Sequence, residues 1–307
     1  MSLEKDAVIT AVLCTTYLSN NWEECRVGRF LAARGVLQTT ARHFKLGSNE
    51  WMDEAHRAHN CMGVPTPDGY VPCDMVTCFD SYGGWYNRVI DQALLKHDKF
   101  RFSRCTEGFK GRRADRLFGQ AWVPGNRSVV VVEGIFDAAA LWQHNLVGLG
   151  DEGARSVLWL GGGFASDRQL AELHDLNTSH ITIALDHDFV GVTGARALYV
   201  TLAAQGRLPE ALLLRKVSPS SKDWAEYLER DGGDLSWKSL TEQCNSSLGE
   251  LIQESTRLRK RVTDEFENKS EEGQARELLR LIAHAARGTN PNRDRETHMN
   301  YDWNGEE

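Results

Sequence analysis

The sequence has few features that would place the protein in or across a membrane. Its apolar runs fall well short of the roughly 20 residues that a membrane-spanning helix requires. The first 25 residues lack a basic segment followed by an apolar core and a small-residue cleavage site, so we expect no secretory signal peptide. The 7 cysteines are odd in number and irregularly spaced, which does not indicate a disulfide framework. We therefore expect reduced thiols and a cytoplasmic location.

Two common nucleotide and metal signatures are also missing. There is no GxxxxGK[ST] run, so the chain carries no P-loop. No CxxC or CxxH framework precedes Arg26. A loop further along does contain several possible zinc ligands, but their gaps do not match the usual paired spacing of a zinc site, and we expect no zinc there. These ligands are His56, His59, Cys61, Cys73 and Cys78.

Charge is unevenly distributed along the 307 residues, although the formal net charge is only -7. Residues 81–130 carry 10 basic and 4 acidic side chains, whereas residues 131–240 carry 9 basic and 15 acidic ones. A negative total argues against nucleic-acid binding by bulk charge. The basic block beside an acidic one instead predicts a local phosphate-binding surface next to an acidic site.

The second half of the chain alternates between apolar β-branched runs and helical patterns. The runs SVVVV (128–132), SVLWL (156–160), HITIAL (180–185) and EALLLRKV (210–217) indicate buried strands, with amphipathic segments between them. This alternation predicts an α/β domain with a mostly parallel sheet flanked by helices.

The flanking regions have different patterns. Residues 5–46 have a helical pattern, residues 48–74 have the glycine and proline content of a loop, and residues 75–92 predict a hairpin. After residue 222 the pattern is helical again. We therefore expect a small mixed α+β basic subdomain before the sheet and a helical region after it. The predicted boundaries are 1–125, 126–230 and 231–290, with a polar tail at 291–307.

Acidic residues stand at the ends of two of the predicted strands. Glu133 directly follows SVVVV, and Asp186 and Asp188 follow HITIAL. Ligands of open α/β sheets collect beyond the carboxyl ends of the strands. Converging carboxylates there would repel one another unless a divalent cation lay between them, and oxygen ligands suit Mg²⁺ or Mn²⁺. Alternatively, each acid is a helix cap or a first-turn charge, which for Asp137 is the simpler explanation.

The runs EGIFDAAAL and LDHDFVGVTGARAL, with the three glycines after the intervening strand, resemble the TOPRIM domain of DnaG-type primases, topoisomerases and some nucleases. The resemblance implies that Glu133 is a catalytic acid or metal ligand and that Asp186 and Asp188 are catalytic metal ligands. It also implies that Asp137 supports the metal site. His187, between the two aspartates, is expected to point away from them if the segment is extended.

The flanking sequence is similar to the catalytic core of bacterial and phage DnaG-type primases. The similarity lies in RFLAARGVLQTTARHFKLG, CFDSYGGWYNRVID, DKFRFS, GFKGRRADRLFG and KDWAEYL, and the zinc module that precedes that core in the family has no counterpart before Arg26. It implies that Asp223 is a further metal-site acid. It also implies that a basic set holds the template or the incoming nucleotide. This set comprises Arg88, Lys99, Arg101, Lys110 and Arg112.

The resemblance predicts a primase, a nucleotidyltransferase of DNA replication that makes short RNA primers on single-stranded DNA from nucleoside triphosphates. The small size predicts a phage or mobile-element protein that works with a replicative helicase or a separate template-recognition protein. Two alternatives remain open. One is a TOPRIM metal-dependent nuclease, for instance in phage defence, and the other is a non-catalytic module that binds nucleic acid or recruits a partner.

Overall fold

The computed structural model describes residues 3–59, 62–66, 69–79, 85–95, 100–102, 117–119, 128–150, 153–176, 178, 180–231 and 236–267. The described helices are α1 (Leu3–Asn20), α2 (Arg26–Ala32), α3 (Gln38–His43), α4 (Glu54–His59), α5 (Ile135–Gln143), α6 (Asp167–Asp175), α7 (Phe189–Ala204), α8 (Trp224–Asp231), α9 (Trp237–Cys244) and α10 (Leu248–Glu267). The described strands are β1 (Leu46–Ser48), β2 (Gly63–Thr66), β3 (Gly69–Pro72), β4 (Met75–Phe79), β5 (Trp85–Val89), β6 (Phe100–Phe102), β7 (Ser128–Val132), β8 (Gly148–Gly150), β9 (Gly153–Trp159), β10 (His180–Ala184) and β11 (Glu210–Ala211).

The second half of the chain forms a mostly parallel sheet, which confirms the predicted fold class. Its strand order is β11-β10-β7-β9-β8, and β11, β10, β7 and β9 run parallel to their neighbours. Strand β8 is antiparallel to β9. The central strand β7 therefore pairs on both edges, and its residues 129–132 are fully buried.

Both faces of this sheet are covered, which explains why its strands are continuous apolar runs. Val130 and Val132 of β7 belong to one core, together with side chains of α5, α8 and α9. Val129 and Val131 belong to the opposite core, together with side chains of α6, α7 and α10. Successive residues of a strand point to opposite faces, so a five-residue valine-rich strand supplies both cores at once.

The first half of the chain forms a second, antiparallel sheet of order β1-β4-β5-β6. Strands β4 and β5 are the hairpin that the sequence predicted over residues 75–92. Helix α1 packs against this sheet, and Phe44, just after α3, makes an edge-on contact with Trp159 of β9. Because one hydrophobic core contains both Val76 and Val130, the two sheets are joined by continuous packing.

Two predicted elements were wrong. Residues 48–74 are not simply a loop, because they contain α4 and the ribbon of β2 paired with β3. Their prolines predict a loop, but both strands of a two-stranded ribbon are edge strands, where a missing N–H is tolerated. The predicted strand 210–217 ends at Ala211. The Leu213 N–H donates to the carbonyl oxygen of Cys244, the last residue of α9, and residues 214–216 form a 3₁₀ turn.

The C-terminal helical region is described as far as Glu267. Helices α8, α9 and α10 agree with the predicted helical pattern, and the predicted polar tail 291–307 lies outside the described residues. Among the helices that the structure describes, none is long and apolar enough to cross a membrane.

A close approach of two glycines fixes α7 against the loop that follows β9. A side chain at Gly194 would overlap the carbonyl oxygen of Gly163, whereas a side chain at Gly162 would meet no atom within 4 Å. We expect Gly194→Ala to lower the free energy of unfolding by about 2 kcal/mol, because overpacking costs about 1–3 kcal/mol. Urea unfolding measures the effect. Gly162→Ala is the matched control, and equal stabilities of the two variants would contradict this packing.

Candidate metal centre

Two of the predicted acids lie at the same edge of the parallel sheet. Strands β7 and β10 are neighbours, with Val132 opposite Ala184. Glu133 directly follows β7, and Asp186 lies two residues beyond the end of β10. The register of the two strands therefore carries both carboxylates to one edge, as their sequence positions predicted.

Asp188 caps the helix that follows the aspartate pair. Its Oδ1 accepts a hydrogen bond of 2.9 Å from the Gly191 N–H at the start of α7. Its other oxygen, Oδ2, lies 3.5 Å from the Nζ atom of Lys222. A side chain at Gly191 would overlap the backbone carbonyl of Asp186, so glycine permits this tight turn from strand to helix. Asp188 is thus a helix cap, as the alternative explanation predicted. Only its Oδ1 serves as the cap, whereas its Oδ2 faces Lys222.

Asp137 connects α5 to α8, and Asp223 bonds to the first turn of α8. Asp137 lies in the first turn of α5 and is 5% exposed, and its Oδ1 accepts a hydrogen bond of 3.3 Å from the Ala225 N–H. The Oδ1 atom of Asp223 accepts from the Glu226 N–H at 2.8 Å, in the first turn of α8. Backbone donors therefore fix both carboxylates, and the KDWAEYL run is held beside the strand ends.

The acids form one electrostatic group. Burial raises the pKa of the Asp186 carboxyl, and neighbouring carboxylates raise it further, to about 10. Those neighbours, in decreasing order of effect, are Asp137, Glu133, Asp223 and Asp188. Burial also raises the pKa of Asp137, with the charge of Asp223 as the next cause. Five carboxylates thus oppose one another in a partly desolvated site, which favours any cation that can enter it.

Lys222 is the cation that the structure places beside these acids. Burial works against its charge, but the carboxylates of Asp188, Asp186 and Glu133 outweigh that effect and raise the Lys222 pKa. The Lys222 carbonyl oxygen also accepts a hydrogen bond of 2.7 Å from the His187 N–H, which joins the two acidic loops. The sequence pattern did not single out Lys222, although it lies beside Asp223 in the KDWAEYL run.

The donor set suits a hard divalent cation. Asp186 is 8% exposed, and none of the described residues forms a hydrogen bond with its buried Oδ1, so this oxygen is open to a water molecule or a ligand. Among the described residues, no three His, Cys, Asp or Glu side chains converge into a ready-made metal cage. Mg²⁺ usually binds through one or two carboxylates and keeps waters or substrate phosphates as its remaining ligands. Oxygen donors of this kind fit Mg²⁺ or Mn²⁺.

The structure describes only part of the predicted basic set. Arg88 lies on β5 opposite Val76 and is 6% exposed, and Arg101 lies on β6 opposite Asn87. Lys99, Lys110 and Arg112 lie outside the described residues. A role for these five in holding template or nucleotide stays a prediction.

His187 has a partner that no local pattern could reveal. Its side chain is 6% exposed, and its Nε2 lies 3.0 Å from Oε1 of Glu254 on α10. Glu254 also pairs with Arg215 and Arg257. The run RLRKR (257–261) has the sequence pattern of a solvated helix face or a partner-binding surface. In the structure its Arg257, with a side chain that is 45% exposed, pairs with the buried Glu254. His187 and Glu254 are 67 positions apart in the sequence, and local sequence patterns carry no information on contacts over that separation.

Residues 130–228 match the family of Toprim-like domains. Most of the chain is similar in structure to solved primases. It superposes on the zinc-binding and RNA polymerase domains of the Aquifex aeolicus primase with a TM-score of 0.59 and 18% identity, covering 84% of this chain and 67% of that one. For a DNA primase domain from Pseudomonas aeruginosa the TM-score is 0.58 and the identity 20%, covering 81% of each chain. No curated protein sequence matches the chain.

A third similar structure is a DnaG primase catalytic domain bound to single-stranded DNA, with a TM-score of 0.56 and 17% identity, covering 82% of this chain and 81% of that one. Together these likenesses define the class. The fold is that of a DnaG primase catalytic core, and it contains a Toprim-like domain.

The raised pKa of Asp186 predicts how stability depends on pH in metal-free protein. Between its ordinary value of 3.8 and about 10, the folded state keeps a proton that the unfolded chain releases, so stability falls as pH rises. Asp186→Asn removes this pH dependence because asparagine does not ionise. We expect the free energy of unfolding of Asp186→Asn, relative to that of the wild type, to increase by up to about 1 kcal/mol per pH unit from about pH 5 to pH 8.

Urea unfolding in EDTA at a series of pH values measures this difference. Asp175→Asn is the matched control, because the Asp175 side chain is 81% exposed and the substitution should leave the pH slope unchanged. Parallel curves for the wild type and Asp186→Asn would show that the carboxyl is not held in a repulsive, desolvated site.

Proposed function

We propose that the protein is a primase-like nucleotidyltransferase that makes short RNA primers on single-stranded DNA. The observation that supports this most strongly is the group of five mutually repelling carboxylates at one sheet edge of a Toprim-like domain, inside the fold of a primase catalytic core. Acids of this kind serve phosphoryl transfer through bound divalent cations.

In this proposal Glu133, Asp186 and Asp188 hold Mg²⁺ or Mn²⁺ and are the catalytic acids. Bound there, the cation supplies positive charge to the triphosphate and to the attacking 3′-hydroxyl. Asp137 and Asp223 add negative charge and, through their backbone donors, keep α5 and α8 in place beside the site. Lys222 balances Asp188 and is near enough to contact a phosphate that approaches the acids.

The basic block supplies the polyanion-binding side of the proposal. Residues 81–130 carry 10 basic and 4 acidic side chains, and lysine and arginine neutralise backbone phosphates. We assign Arg88, Lys99, Arg101, Lys110 and Arg112 to the single-stranded template or the incoming nucleoside triphosphate. A related DnaG catalytic domain has been solved with single-stranded DNA bound, which supports that assignment.

The cellular setting is also part of the proposal. In the part of the chain that the structure describes, Cys14, Cys25 and Cys244 are free and buried, which fits the reducing cytoplasm of a bacterium or a phage-infected cell. With a net charge of -7, the protein would bind DNA weakly outside its basic block. A helicase or a separate template-recognition protein would then load the template.

A metal-dependent nuclease is the second candidate, because the same acids would serve hydrolysis of a phosphodiester. The specific observation against it lies outside the Toprim-like domain. The likeness to primase cores covers 81% to 84% of this chain, so the N-terminal sheet also belongs to a fold that is known from primer synthesis. A third possibility, a non-catalytic binding module, is disfavoured by the intact set of acids.

A primer-synthesis assay tests the proposal. We expect the wild type, with Mg²⁺ or Mn²⁺, to incorporate labelled ribonucleotides into short RNA products on single-stranded DNA. Glu133→Gln and Asp186→Asn should each lower the rate of primer synthesis about 100-fold or more. Each substitution removes a negative charge that binds the divalent cation, and the cation stabilises the transition state. Asp175→Asn is the control for loss of a carboxylate and should retain full activity.

Parallel incubations with plasmid, single-stranded DNA and tRNA distinguish the alternatives. Metal-dependent cleavage of any of these substrates without primer synthesis would contradict the proposed primase and support the nuclease. Binding of single-stranded DNA without any turnover, unchanged by EDTA and by loss of Glu133 and Asp186, would favour the non-catalytic module.

A further inference from the structure

The C-terminal helix α10 reaches the loop that carries the aspartate pair. Leu251 and Leu258 of α10 are buried in the same core as Val192 and Leu198 of α7. Between these two leucines, Glu254 is 3% exposed and contacts His187, the residue between Asp186 and Asp188. One helix therefore contacts the acidic loop directly, although it lies outside the segment that matches the Toprim-like family.

Glu254 is itself held from two sides. Arg257, one turn further along α10, donates from Nε to Oε2 at 2.9 Å and from Nη2 to Oε1 at 2.6 Å. Arg215 pairs with Oε2 from the 3₁₀ turn after β11. Burial raises the pKa of Glu254, but the bonds from Arg257, His187 and Arg215 outweigh it and lower the pKa to about 2. The carboxylate is therefore ionised and can only accept, so His187 donates from Nε2.

We propose that Glu254 is a positioning residue of the metal centre, which acts through His187 to fix the spacing of Asp186 and Asp188. This inference rests on the proposed function, because it concerns the same acids.

The geometry gives the physical basis. His187 is anchored twice, by its side chain to Glu254 and by its backbone N–H to the Lys222 carbonyl oxygen at 2.7 Å. The flanking carboxylates repel each other, and burial strengthens that repulsion. A loop anchored at its central residue cannot relieve the repulsion by rotating one aspartate outward. Losing the side-chain anchor should leave the loop free to do so and should weaken cation binding.

The Mn²⁺ affinity of the full chain tests this role, with free Mn²⁺ measured by electron paramagnetic resonance. Glu254→Gln keeps the shape of the side chain but removes its charge. We expect it to weaken Mn²⁺ binding about tenfold, in the range found when partners behind metal ligands are lost. Ser255→Ala is the matched control, because Ser255, next to Glu254 on the same helix, accepts a hydrogen bond from Arg196 of α7 at 3.3 Å and so bonds to α7 and not to His187. It should leave the Mn²⁺ affinity unchanged.

A second variant separates positioning from general stability. His187→Phe keeps a buried ring and leaves Glu254 paired with its two arginines, so it remains testable if Glu254→Gln unfolds. We expect it to weaken Mn²⁺ binding to the same extent. If Glu254 acts through His187, the double variant should bind Mn²⁺ no more weakly than either single variant.

The outcomes are distinguishable. Wild-type Mn²⁺ affinity in both single variants, or fully additive losses in the double variant, would overturn the positioning role and leave the proposed function intact. A wild type that binds no Mn²⁺ would overturn the metal-dependent function and the positioning role with it. A loss in Glu254→Gln that Ser255→Ala matches would show only that docking of α10 matters, which also contradicts a specific role for Glu254.

Discussion

Repulsion among buried carboxylates is the constraint on which the site depends. Asp186 lies within the electrostatic influence of four other acids and is almost fully buried, so its ionised form is costly in the absence of a cation. The fold opposes this cost with fixed backbone donors. The Gly191 N–H bonds Asp188, the Ala225 N–H bonds Asp137, and the Glu226 N–H bonds Asp223. These three acids are held in place although the group as a whole is unfavourable, which is typical of a site completed by a cation.

The scaffold that holds the acids is stiff because it is buried on both faces. Strand β7 sends alternate valines into two separate cores, and the register between β7 and β10 fixes the relative height of Glu133 and Asp186. The glycine contact between α7 and the loop after β9 adds to this rigidity, since neither segment can shift without the other. The antiparallel sheet of the first half shares one of these cores, so this sheet and the acidic edge belong to one packed body.

The parts of this arrangement that were predictable from sequence are those encoded locally. The valine run of β7, the HITIAL run of β10 and the acids directly after them indicate a parallel sheet with acidic residues at its edge. The ribbon of β2 and β3 was not predictable, because Pro65 and Pro72 are typical of loops. Each proline lies in a strand of this two-stranded ribbon, where one edge of the strand is unpaired and a missing N–H is tolerated. The strand that begins at Glu210 is shorter than its apolar run predicts. Leu213 is buried, but its N–H bonds to Cys244 at the end of α9 and not to a neighbouring strand.

The contact between His187 and Glu254 was not predictable, because hydrogen bonds across long chain separations leave no periodic signal. The likeness to primase cores, at 17% to 20% identity, establishes the fold, and the acids then indicate its chemistry. The most direct test of the central claim is a crystal structure of the protein grown with Mn²⁺, with anomalous scattering recorded to locate the ion. The account predicts an anomalous peak that places Mn²⁺ within bonding distance of carboxylate oxygens of Glu133 and of the Asp186–Asp188 pair. Well-ordered carboxylates with no peak among them at millimolar Mn²⁺ would contradict it.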